Sequence, residues 1–128
     1  MVAAMWVSAL LAGVMHVVFF CAESLWWQKP AVRKGFLMTA EQAETTRLLA
    51  FNQGFYNLML AAGTFIGLGY WAAGRESIGL TLIAWNCLTM VVAALVLISS
   101  APQLKRGAVA QAAPPLVFLI LLALRMTG

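Results

Sequence analysis

Four stretches of this chain, residues 1–22, 48–74, 77–104 and 107–124, contain no Asp, Glu, Lys or Arg. A helix that crosses a bilayer needs about 20 mostly apolar residues, and each stretch supplies enough. In hydrocarbon every backbone N–H and C=O must be satisfied within the segment, which favours helices. Four such helices use roughly 80 residues of the 128 and leave short loops with no second domain. Only 9% of the residues are charged, whereas a soluble domain of this size carries about 25%. The expectation is an all-α polytopic membrane protein. It is a single domain over residues 1–128, a bundle of four transmembrane helices at about 3–27, 40–71, 77–99 and 109–124. Both termini lie on the same side.

The formal charge of +4 does not point to nucleic acid. Lys29, Arg33, Lys34, Arg47, Lys105 and Arg106 all lie just outside apolar runs, where basic residues set membrane topology. They gather on the side of the first and third loops, while Arg75 and Arg125 fall on the other. That asymmetry places loops 1 and 3 in the cytoplasm, both termini outside, and the protein in the cell (inner) membrane. Cys21 and Cys87 fall inside spans and form no C-x-x-C pair, so they read as small hydrophobes and not as redox or zinc ligands. The N-terminus lacks the positive region of a secretory signal, so the first apolar run reads as a retained helix.

Residues 28–38, with Pro30 and Gly35, read as a loop. Thr39 followed by Gln42 has capping-box spacing and opens the second helix. Pro114 and Pro115 predict a kink or a late start in the fourth. Gly63 and Gly67 form a G-x-x-x-G, whose spacing suits close packing within the bundle, with a homodimer seam as the alternative.

Polar groups inside spans cost about 2.5–3.5 kcal/mol when ionisable, so each needs a reason. Helix 1 carries His16 and Glu23, seven residues apart and about 10 Å along one face of a straight helix. Helix 2 offers Asn52, Gln53, Tyr56 and Asn57, helix 3 Asn86 and Thr89, and helix 4 Gln111. At 1.5 Å per residue, Glu23 lies ~6 Å inside Trp27 and Asn52 ~7 Å inside Arg47. His16, Asn57 and Asn86 lie about 14–16 Å in, near the midplane. Every helix thus offers polar groups between the midplane and the cytoplasmic face, a pattern that would line a pocket opening that way. Interhelical glue is the competing use, and it suits Asn86, Thr89 and Gln111 best.

The run His16-Val-Val-Phe-Phe-Cys-Ala-Glu23-Ser-Leu-Trp26 resembles the first-helix signature of a small bacterial membrane family, domain of unknown function 1304 (DUF1304). So does Asn52-Gln53-Gly54-Phe-Tyr56-Asn57-Leu-Met-Leu60-Ala61-Ala62-Gly63, which is the more specific of the two. Members typically carry Met where this chain has Ser24. The resemblance spans essentially the whole chain and implies a compact four-helix membrane protein. It brings no activity with it.

Function therefore rests on the residues. A polar pocket could bind a small lipophilic molecule, with Glu23 and His16 as acid and base and Asn52, Gln53, Tyr56, Asn57 and Asn86 orienting it. Isomerisation, cyclisation or epoxide opening needs little more than such a pair. A proton-coupled transporter or channel subunit is a second reading and requires a homo-oligomer. Haem on His16 lacks a second ligand, so no cofactor or metal is expected. A structural or assembly role, with the polar groups as glue, is the remaining alternative.

Overall fold

The computed structural model describes residues 1–128, all of the chain. The first long helix, α1 (Val2–Phe20), runs without a break into a π-helical turn, Cys21–Leu25. The turn closes with the Trp26 N–H donating to the Cys21 carbonyl at 2.9 Å, five residues back. A short helix, α2 (Pro30–Gly35), follows, then α3 (Ala40–Ala72), α4 (Glu76–Ser100), a single 3₁₀ turn at Pro102–Leu104, and α5 (Lys105–Thr127).

Local chemistry explains most of the boundaries. Pro30 opens α2 at its first turn, where its missing N–H costs nothing and its ring presets φ. Thr39 caps α3 in a full capping box: its side chain accepts from the Gln42 N–H, and Gln42 accepts from the Thr39 N–H. Gly74, at φ +77°, makes the turn between α3 and α4. Two expectations are corrected here. Residues 28–38 are not simply a loop, because α2 occupies their middle. Nor does the last helix start late: Pro114 and Pro115 lie inside α5, which begins at Lys105. A proline is compatible with a helix when the packing around it offsets the lost hydrogen bond, and Pro115 is fully buried.

The four long helices form a ring in which α3 packs beside α1 and α4, and α5 beside α4 and α1. Trp6 stacks on Trp71 with centroids 5.0 Å apart, and Arg125 pairs with Glu76 at 2.5 Å. Both chain termini therefore lie at one end of the bundle. Small residues let α3 and α4 meet closely. A Cβ on Gly67 would come 2.9 Å from the Gly79 carbonyl, and one on Gly63 would meet the Asn86 amide. The G-x-x-x-G is thus used within the chain.

The dense core fills the half of the bundle nearer the termini. It is built by Met5, Ala9 and Ala12 of α1, Leu68 and Trp71 of α3, Ile83, Cys87 and Met90 of α4, and Phe118 of α5. The outside is apolar too: Val7, Leu10, Leu11, Val14, Leu88, Val92 and Leu95 are all exposed. An outward face of this kind is suited to lipid, not water. Three helical segments, Val2–Leu25, Glu76–Ser100 and Pro102–Thr127, are long and apolar enough to cross a membrane. The longest helix, α3, is diluted by Glu41, Glu44 and Arg47 in its opening turns and by Asn52, Gln53 and Asn57 beyond.

Candidate functional site

Glu23 sits on the π turn, and the turn is held against α3 at several levels. Asn57 Nδ2 donates to Glu23 Oε2 at 2.6 Å. Ser24 Oγ donates to the Phe51 carbonyl at 2.8 Å. Trp27 Nε1 donates to Thr46 Oγ1 at 3.2 Å, and Gln28 Nε2 bonds the Glu44 carboxylate. Gly54 makes this approach available: a Cβ there would run into Ser24 Oγ and stand 3.0–3.1 Å from the Ser24 nitrogen and the Phe20 carbonyl. A π turn widens the helix by one residue and re-aims its side chains. Here it carries its own Glu23 carboxyl toward α3.

Below the π turn, in the half of the bundle away from the termini, lies a cavity of about 630 Å³. Its walls are apolar, from Phe19, Phe36, Ala93, Val96, Leu97 and Leu104. Its polar groups are Glu23, Gln53, Asn57, Ser100 and Gln111. Glu23 is the only ionisable side chain in that lining and makes no ion pair. Pro114 and Pro115 have no N–H, so neither can bond the helix carbonyls of Ala110 and Gln111 four residues earlier. Lys29 and Arg47 line a second groove that also borders Glu23, where Lys29 Nζ stands 5.0 Å from the Trp26 ring centroid. Volumes of about 300–1,000 Å³ with mostly apolar walls and few polar groups are typical of small-molecule sites.

Residues 10–123 match the family model described as protein of unknown function (DUF1304). The chain belongs to the DUF1304 family. No curated protein and no solved structure matches it. In this DUF1304 protein the two signature runs meet: Glu23 and Ser24 of the first contact Asn57, Phe51 and Gly54 in and beside the second.

The expected site residues divide into three places. Glu23, Gln53 and Asn57 line the cavity, and Gln111 joins them although glue suited it best. Asn52 and Tyr56 lie on the outer side of α3, in a shallower groove of about 450 Å³ that also borders Glu23. The Asn52 amide bonds its own helix at the Leu48 carbonyl. His16 and Asn86 are elsewhere. His16 is fully buried, its Nδ1 is 2.8 Å from the Ala12 carbonyl, and its Nε2 has no partner within the chain. Phe19, packed edge-on against the His16 ring at 5.8 Å, lines the cavity in its place. The one-face register of His16 and Glu23 assumes a straight α-helix, and the π turn ends that register at Cys21. Asn86 is buried over Gly63 and donates to the Leu82 carbonyl.

Sequence reasoning missed Phe19, Phe36, Ser100 and Gly107 of the lining. Phe19, Phe36 and Gly107 give no signal of this kind, and Ser100, though polar, stands at the edge of its apolar run. Pro30, with Arg33 and Lys34 three and four residues on, is a signal for the helix that delivers Phe36.

Proposed function

We propose that this protein binds a small lipophilic molecule in the cavity beside Glu23. The observation that carries the reading is a single carboxyl, hydrogen-bonded by Asn57, at the edge of a 630 Å³ space whose walls are mostly apolar and whose other polar groups are neutral. A carboxyl in an apolar setting is costly, and a ligand that bonds it would offset that cost. Glu23 is the proton carrier within reach of such a ligand, so chemistry on it, if the protein is an enzyme, runs through a single acid rather than an acid–histidine pair. The uncharged part of α3, Leu48–Trp71, is about 36 Å long, enough to serve as a fourth span between α1 and α4. The basic residues of loops 1 and 3 then hold the mouth of the cavity toward the cytoplasm or the inner leaflet.

The test is a native mass spectrum of the protein gently extracted with its lipids, beside Glu23→Gln. The expected outcome is a discrete small molecule on the wild type that the variant loses. If neither form carries anything while both fold equally well, the structural role becomes the better reading.

A further inference from the structure

We propose that the molecule is a lipophilic organic cation, an aryl or alkyl ammonium, with Glu23 as its counter-ion. This rests on the binding reading above and names its ligand class.

The charge around the cavity points one way. Its lining holds one carboxyl and no Lys, Arg or His. The nearby basic side chains, Lys29 and Arg47, line another groove that also borders Glu23, but neither forms an ion pair with it. Backbone dipoles add to this. Gly35 and Phe36 at the end of α2, and Val96–Ser100 at the end of α4, present helix C-termini to the cavity. Glu23 itself lies in the closing turn of the first helix. Carbonyls at C-termini carry partial negative charge. Against three such ends stands one N-terminus, that of α5 at Gly107. Gln53 and Gln111 supply amide oxygens that accept N–H groups, and Phe19 and Phe36 put aromatic rings on the walls, which attract cations within about 6 Å of a ring centroid. An anionic ligand would face the Glu23 carboxyl and three helix C-termini, with only the Gln53 and Gln111 amide N–H groups and the α5 N-terminus to meet it. A neutral one would leave the carboxyl without a counter-charge.

The experiment uses three probes of one shape: 1-pyrenylmethylammonium, 1-pyrenemethanol and 1-pyrenecarboxylate. Binding to the full chain in mild detergent is read by energy transfer from tryptophan to pyrene, with empty micelles as the blank. The expected result is about tenfold tighter binding of the ammonium than of the alcohol, equivalent to about 1.4 kcal/mol, and no saturable binding of the carboxylate. Glu23→Gln should erase the preference while the alcohol still binds, and Glu23→Asp should retain it. Equal binding of ammonium and alcohol to the wild type would overturn the cation inference and leave the cavity reading standing. If no probe saturates, both fall.

Discussion

At Gly54 the loss of a single hydrogen atom's worth of room would be felt by the whole site. A methyl group there collides with Ser24 Oγ, which is already committed to the Phe51 carbonyl. Overpacking of this kind costs about 1–3 kcal/mol, partly offset by the roughly 1 kcal/mol by which Ala favours a helix over Gly. Gly54→Ala is therefore expected to destabilise the protein by about 1 kcal/mol, measured by unfolding in mild detergent. In a Ser24→Ala background the Oγ collision is gone and only the close approaches to the Ser24 nitrogen and the Phe20 carbonyl remain, so the cost should shrink. Strict additivity of the two changes would show that the contact does not matter. The motif Asn-Gln-Gly-x-Tyr-Asn could be seen in the sequence, and Glu23 and Asn57 with it. Their partnership could not, because it depends on a π turn that no local spacing announces.

The elements show where local rules suffice. Thr39 and Gln42 predicted the start of α3, because a capping box is satisfied by residues three apart in sequence. The end of α2 is less ordinary. The Met38 N–H reaches the Arg33 carbonyl at 2.8 Å and the Leu37 N–H reaches Lys34 at 3.2 Å, a Schellman arrangement. Leu37 occupies the left-handed position at φ 56°, where glycine is usual and a branched side chain is strained. Leu37→Val should lower stability by about 1–2 kcal/mol. Leu37→Gly should be neutral to stabilising, since relief of strain opposes the added freedom of the unfolded chain. A thermal series on the three proteins in one detergent checks the order. If valine is tolerated as well as glycine, the left-handed position is not strained. In α5 the prolines sit mid-helix, not at its start, because tertiary packing around Pro115 decides there and propensity does not.

For the whole molecule, orientation is the property most open to a direct test. In a background without Cys21 and Cys87, Lys34→Cys and Lys105→Cys should react with an impermeant maleimide only after the inner face is opened. Arg75→Cys should react from outside. The reverse pattern would invert the bundle, and Lys34 and Lys105 on opposite sides would exclude four spans. The tight half and the hollow half of the bundle also differ in what made them visible. Alanines, glycines and a buried Phe118 pack the half near the termini, whereas the hollow half exists because α2, the end of α4 and the start of α5 stand around Glu23 without filling the space.

The sequence by itself determined that this is a helical protein with segments made for a membrane. Transfer of an apolar run into hydrocarbon, and the need to satisfy its backbone there, are properties of each segment alone. Only the tertiary structure decided which polar residues share a site. It joined Glu23 to Asn57 and Gln111, and it left His16 sealed behind Phe19. The physical reason is one of range: helix formation is set by neighbours a turn away, whereas a cavity is what remains where helices distant in sequence fail to interdigitate.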